Sequence, residues 1–248
     1  MVYLLLIAAA FAAGAINSVA GGGSFLTFPS LVFAGVSAVS ANASSTVALL
    51  TGTFSTVVSY RDELKQMNER RFKIWFFECI LGGAIGAVLL LITSDKTFRQ
   101  IAPWLLLFAT LLFTFGGPLG LAMRGRLQSS QALMLAVLFS IAVYGGYFGG
   151  GIGIMLLAAF RLYGFTDIHL MNGMKAILGG SLNLIAGLIF IFAHQVSWKV
   201  TLIMMAAATG GGYLGPVIAR RVSQNIIKGF VIAVGLIMSA WFFYTAPR

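Results

Sequence analysis

The chain has 248 residues, of which 59% are hydrophobic and only 9% are charged, and its mean hydropathy is +0.97. This composition excludes a soluble globule with a polar surface and predicts an all-α polytopic membrane protein. The net charge of +10 would suggest nucleic acid in a soluble protein. Here the basic residues lie in short connections between apolar runs, so we expect membrane lipid, and no nucleic acid, as a partner.

Apolar runs recur along the whole chain, and each predicts a helix. They cover residues 2–20, 24–34, 40–60, 74–93, 100–122, 129–148, 152–163, 169–193, 198–218 and 226–245. Two of them, 24–34 and 152–163, are too short to cross about 30 Å of hydrocarbon. The first run lacks a preceding Lys or Arg, so we expect a membrane segment there and no signal peptide. The polar connection 61–73 is expected to be a loop.

Three consecutive glycines precede each short run, at Gly21, Gly22 and Gly23 and again at Gly149, Gly150 and Gly151. Glycine triplets interrupt helices, and a broken helix in a membrane is tolerated only where its freed amides face a cavity or a ligand. We therefore predict that each triplet turns the chain within the membrane. The half-helix that follows would present its N-terminal amides to an anion. The alternative is a glycine-rich packing contact between helices.

The two halves of the chain match internally. Gly21 pairs with Gly149, Gly35 with Gly164, Gly82 with Gly211 and Arg99 with Lys228, always at an offset of 128 or 129. A constant offset predicts two repeats, 1–123 and 124–248, of four elements each when a glycine-broken hairpin counts as one element.

The distribution of basic residues favours re-entrant hairpins over simple kinks. With hairpins, eleven basic loop residues share one side and four the other, whereas eight full crossings give nine and six. The first split fits the positive-inside tendency better, and three crossings per unit make the repeats inverted, with both termini outside. Against this, the first arms, 2–20 and 129–148, are long enough to cross completely.

Polar residues in the third and eighth runs are the candidates for a binding site. Asn42 and Ser45 lie on one helix face and could donate hydrogen bonds toward the Gly21 turn, or could simply cap and join helices. Asn172, Lys175, Gly179 and Asn183 form one polar stripe.

Lys175 is the one basic residue that we place within a predicted span. A membrane-embedded ammonium costs at least ~2.5 kcal/mol, and no carboxylate has an obvious place on its stripe, so a bound anion is the natural partner. The alternative is that Lys175 snorkels to the nearer interface.

Other polar and small residues have simpler interpretations. Glu78 is either a proton-coupling carboxylate or an interfacial glutamate, and the clustered glycines, Gly82, Gly83 and Gly86 with Gly211, Gly212 and Gly215, are expected to be packing surfaces. A single cysteine, Cys79, excludes a disulfide framework, and we expect no metal and no cofactor.

The stretch Asn17-Ser18-Val19-Ala20-Gly21-Gly22-Gly23-Ser24-Phe25-Leu26, followed by Pro29, Gly35 and the polar run from Ala41 to Thr46, resembles the TauE/SafE (TSUP) family of membrane transporters. The second unit, with Gly149-Gly150-Gly151, Gly164-Phe165, Asn172 and Lys175, is similar to that family's second repeat. The resemblance implies transport of small sulfur-containing anions, such as sulfite or sulfonates, across a bacterial cytoplasmic membrane. Ile152 and Gly153 depart from the first triplet's pattern, which puts in doubt a hydroxyl role equivalent to that of Ser24.

From these features we expect a secondary transporter, an exporter of sulfite, sulfoacetate or other organosulfonates, assembled as a homodimer. Ser24, Asn42, Ser45, Asn172 and Asn183 would donate hydrogen bonds to the anion, Lys175 would supply charge, and alternating access would move it. An anion channel and a membrane-embedded enzyme are the two alternatives.

Overall fold

The structure, a computed structural model, describes residues 2–19, 22–59, 69–122, 130–219 and 224–245, and within these ranges it is all helix and contains no strand. Each of the ten predicted apolar runs forms a helix. In chain order they are α1 (Val2–Val19), α2 (Ser24–Phe33), α3 (Ala38–Ser59), α4 (Glu69–Ile92), α5 (Asp95–Ala122), α6 (Gln131–Tyr147), α7 (Ile152–Tyr163), α8 (Ile168–Phe192), α9 (Trp198–Ala219) and α10 (Gln224–Thr245).

The prediction for the polar connection 61–73 was wrong at its end, because α4 begins at Glu69. The residues involved are good helix formers, and the side chain of Phe72 packs against the buried cluster around Trp75. Helix propensity and the packing of Phe72 therefore favour a helix here, despite the charged residues that predicted a loop. The rest of this connection, and Gly21, lie outside the described residues.

The helices have the lengths and surfaces of a membrane protein. Within the described ranges, three stretches are long and apolar enough to cross a membrane, namely Arg70–Ile92, Asp95–Gly116 and Ile168–Phe192. Large apolar side chains face outward on these helices, such as Phe77, Ile92, Trp104 and Phe192. By contrast, α2 and α7 have 10 and 12 residues, or about 15 and 18 Å at 1.5 Å per residue. Both are half-helices, as predicted.

The first two helices run antiparallel. Gly23, at the start of α2, lies against the carbonyl of Ala13, whereas Leu5 and Ala9 line the same groove as Pro29 and Phe33. The first residues of α1 and the last residues of α2 therefore lie at the same end of the bundle. The glycine break turns the chain back toward the end from which it came.

Two helix pairs pack with their backbones in contact, α1 on α9 and α4 on α6. A Cβ on Gly211 would collide with the carbonyl of Phe11, and a Cβ on Gly82 would lie 3.1 Å from the carbonyl oxygen of Phe139. Gly83 is equally close to Leu182 in α8. The interpretation of these glycines as packing surfaces is confirmed for Gly82, Gly83, Gly86, Gly211 and Gly212, whereas the surroundings of Gly215 lie outside the described residues.

Replacing Gly86 with alanine is expected to destabilise the fold by about 1–3 kcal/mol, the usual cost of overpacking. Its Cβ would meet the carbonyl of Val143, so α4 and α6 would have to separate. Gly229→Ala is the matched control, because nothing lies within 4 Å of a Cβ at that position. Thermal unfolding of the two variants in detergent measures the difference, and equal melting temperatures would contradict the close packing.

Candidate functional site

A cavity of about 50 Å³ lies where both glycine breaks meet α3 and α8. A cavity needs about 10–15 Å³ to hold one water, so this one admits a few waters or a small ion. Its lining is drawn from both halves of the chain: Asn17, Gly22, Ser24, Thr46, Leu49, Thr53, Gly149, Ile152, Gly153, Lys175, Ala176, Gly179, Gly180 and Asn183.

The N-termini of both half-helices border the cavity. Gly22 has φ 117°, and Gly149 and Gly151 have φ 80° and 76°, so the chain turns through left-handed backbone before each half-helix begins. Ser24 opens α2, and Ile152 and Gly153 open α7. The first amides of a helix have no carbonyl partner within it, and they carry its positive partial charge. Both ends therefore favour an anion at the cavity.

Lys175 supplies a formal positive charge at the same place. The residue lines the cavity and is only 6% exposed, and its Nζ has no hydrogen-bond partner among the described residues. This burial favours a partner inside the bundle over snorkelling to the membrane interface, and both interpretations of Lys175 stay predictions. An ammonium that is buried without a partner is costly, and a bound anion would offset that cost.

Neutral donors complete the lining. Asn17, Ser24 and Asn183 reach the cavity, and within the described parts of the chain their side chains make no hydrogen bond. Asn17, Thr46 and Thr53 were not among the predicted site residues. Asn17 lies in the last turn of α1, and its closeness in sequence to the first glycine triplet was the available signal.

Several predicted site residues lie outside the cavity lining, and some of them make hydrogen bonds or packing contacts between helices. The Asn42 amide donates to the carbonyl of Tyr147 at 3.0 Å, and the hydroxyls of Ser45 and Thr27 share a hydrogen bond. Gly23 packs against Ala13. Gly150, Gly151 and Asn172 do not line the cavity either, although Oδ1 of Asn172 is buried without a partner in the described structure.

The second glycine break is held by two hydrogen bonds from outside it. The Tyr144 hydroxyl donates to the carbonyl of Gly150 at 3.0 Å, and the Asn42 amide holds the carbonyl of Tyr147, the last residue of α6. Asn42 is 1% exposed. These bonds fix where α6 ends and therefore where α7 begins.

Replacing Asn42 with alanine is expected to destabilise the protein by about 1–3 kcal/mol, because the part-buried carbonyl of Tyr147 would lose its side-chain donor. The measurements are thermal unfolding and anion binding to the purified variant. Ser40→Ala is the control, since Ser40 bonds to Gln195 at a part-buried position away from the break. An Asn42→Ala protein that melts like the wild type would contradict the anchoring role.

Glu78 has no place in this lining. It does not line the cavity, and its Oε2 is buried without a hydrogen-bond partner in the part of the chain that the structure describes. Trp75, one turn earlier in α4, also has a buried and unpartnered Nε1. The interfacial and proton-coupling interpretations of Glu78 both stay predictions.

Comparison with known proteins identifies the family of this chain. The sequence profile of the family described as Sulfite exporter TauE/SafE matches residues 6–242. A probable membrane transporter protein of Haemophilus influenzae is 28% identical over 97% of this chain and 94% of its own length. The probable membrane transporter protein YfcA of Escherichia coli is 27% identical over 95% of this chain and 87% of its own. No solved structure matches the chain.

The family profile spans nearly all of the helical bundle, including both glycine breaks and α8, the helix that carries Lys175. The relatives that cover the chain from end to end are described as membrane transporters. The chain therefore belongs to the TauE/SafE sulfite exporter family and is a membrane transporter.

Proposed function

We propose that the protein is a secondary transporter that exports small sulfur-containing anions, such as sulfite, sulfoacetate or other organosulfonates, by alternating access. The observation that carries the proposal is the buried, unpartnered Nζ of Lys175 in a cavity bordered by two helix N-termini. The sulfur chemistry of the anion is supported by the description of the family, Sulfite exporter TauE/SafE.

The anion would be held by one charge and several neutral donors. Lys175 would form a charge-assisted hydrogen bond to an anion oxygen, with Ser24, Asn17 and Asn183 donating to the others. The amides that open α2 and α7 would add dipolar stabilisation without a second formal charge. Such a site favours a small oxyanion because several converging donors need several acceptor oxygens.

The predicted site residues outside the lining have roles in this proposal that follow from their hydrogen bonds. Asn42 and Gly150 belong to the network that holds the second break, and Ser45 ties α3 to α2 through Thr27. Asn172 lies one helical turn before Lys175 on α8, so it would reach the anion in a conformation that differs from the present one. The remaining glycines of the triplets would shape the turns.

We further propose two inverted repeats, each opening with a re-entrant hairpin. The antiparallel course of α1 and α2 supports the first hairpin. Support for the repeat comes from paired contacts: α1 packs on α9 as α6 packs on α4, and α3 packs on α9 as α8 packs on α4. The contact of Gly211 with Phe11 matches that of Gly82 with Phe139 at the offsets found in the sequence.

Alternating access would require a barrier on at least one side of the cavity, and an aromatic layer next to the breaks is suited to this. The ring of Phe28 in α2 lies 5.4–6.0 Å from those of Phe98, Phe148 and Phe242, counted between centroids. Phe148 immediately precedes the second glycine triplet, so movement at that break would disturb the layer. In cells, we place the protein in the bacterial cytoplasmic membrane as a homodimer.

Counterflow in proteoliposomes tests the proposed function. Vesicles preloaded with sulfite should accumulate labelled sulfite transiently above equilibrium, and the initial rate should saturate with concentration. Non-saturating flux without counterflow would instead support an anion channel, which could use the same dipoles and lysine. Recovery of a chemically altered anion would support the membrane-embedded enzyme and contradict transport as the sole function.

A further inference from the structure

A second cavity lies on the outside of the bundle, between α1, α2 and α10. It is a groove of about 480 Å³ whose lining includes Leu5, Ala9, Leu26, Pro29, Ile237 and Trp241. The lining is apolar except for Ser30, whose hydroxyl is already bonded to the carbonyl of Thr27 at 2.8 Å. A groove of this kind offers water no partners, so an apolar occupant is favoured.

The groove is open toward the hydrocarbon of the bilayer. Phe33 and Ile237, on its rim, are 65% and 62% exposed. Both belong to apolar helices of a membrane protein, so their exposed faces contact lipid chains. The occupant with direct access to this surface is therefore an acyl chain.

A basic residue lies next to one end of the groove. A smaller cavity of about 210 Å³ is lined by Val32, Arg99 and Thr245 and shares Trp241 with the groove. Arg99 lies 3.7 Å from Asp95, whose carboxylate also accepts the amide of Val39 at 3.0 Å. A guanidinium has five donors, so this one exposed contact leaves Arg99 able to bind a phosphate as well.

We propose that the groove binds one anionic phospholipid, with an acyl chain along α2 and its phosphate at Arg99. Trp241 lies between the apolar groove and Arg99, since it lines both cavities. A phospholipid could therefore place its acyl chain in the groove and its phosphate at Arg99. Trp is suited to this boundary, because its ring packs on apolar groups while its N–H can reach the polar region.

The bound lipid lies against the half-helix that opens at the anion cavity. Phe25 lines the groove, and its ring would also touch a Cβ placed on Gly22 or Gly151. One aromatic ring therefore separates the lipid from both glycine breaks. The lipid supports α2 on a side that no helix of the described ranges covers.

The test is native mass spectrometry of the full chain after exchange into detergent with equal amounts of phosphatidylglycerol and phosphatidylethanolamine. The wild type should retain a single phospholipid, with phosphatidylglycerol preferred. Ala9→Phe fills the groove and should abolish retention of both lipids. Ile237→Trp narrows it from the exposed rim, where the fold tolerates bulk, and should do the same if Ala9→Phe fails to fold.

Arg99→Gln should lower the preference for phosphatidylglycerol about fivefold, the usual worth of one basic residue near an anionic lipid. Lys96→Gln, at an exposed lysine on the preceding turn of α5, is the control and should keep it. Retention of lipid by both groove-filling variants would overturn the proposal. So would equal retention of the two lipids by the wild type, or an unchanged preference in Arg99→Gln.

Discussion

Lys175→Met is expected to lower the affinity for the transported anion by about 10- to 150-fold. A hydrogen bond to a charged group contributes about 1.5–3 kcal/mol, which corresponds to this range. Methionine keeps much of the length of the lysine side chain and removes its charge from a site that is only 6% exposed. Sulfite uptake into proteoliposomes, measured over a range of concentrations, tests the change.

Two comparisons make the Lys175→Met result specific. Lys199→Met removes a positive charge from an exposed position at the start of α9 and should leave transport unchanged. The melting temperature of Lys175→Met without anion should equal or exceed that of the wild type, because a buried charge without a partner no longer needs to be accommodated. Wild-type affinity in this variant would mean that Lys175 has a structural role.

Gly151→Ala is expected to destabilise the protein by about 1–2 kcal/mol and to reduce transport strongly. Gly151 has φ 76°, a conformation that costs an L-residue about 1–2 kcal/mol. It directly precedes α7, so relief of the strain would shift the amides that open this half-helix at the cavity. An alanine Cβ would also lie 3.3 Å from the Cβ of Ala109. Thermal unfolding and sulfite counterflow measure the two effects.

Asparagine provides the matched test at this position. Asparagine adopts left-handed backbone more readily than alanine, so Gly151→Asn should retain more activity than Gly151→Ala despite its larger side chain. Gly116→Ala is the control, because its Cβ would make only an ordinary 3.6 Å contact with Ile154 within a helix. Equal loss in the alanine and asparagine variants would show that space, and not backbone conformation, limits position 151.

The positions of most helices could be predicted because each helix coincides with a run of apolar residues. The ten apolar runs became the ten described helices, and the glycine triplets marked where two helices break. The helix start at Glu69 is the exception, because hydropathy alone does not mark it. The run of charges predicts a loop, but Phe72 packs against the core and α4 includes these residues.

The candidate site was predictable only in part, and the reason is the ambiguity of neutral polar residues. Lys175 could be identified because a charge in a membrane demands a partner. Asn42 and Asn17 look alike in the sequence, yet one bonds to the backbone of another helix and the other lines the cavity. Which of these occurs depends on contacts between α3 and the end of α6, more than a hundred residues apart, and no local pattern reports them.

The proposed transport depends on the binding of one small sulfur oxyanion at Lys175, between the two glycine breaks. Calorimetric titration of the purified protein with sulfite, thiosulfate, sulfoacetate and taurine, beside Lys175→Ala, tests it most directly. We expect at least one of these compounds to bind with one site per chain, and Lys175→Ala to bind it at least tenfold more weakly, a loss of 1.4 kcal/mol or more. Absence of binding by all four compounds, or unchanged affinity in Lys175→Ala, would contradict it.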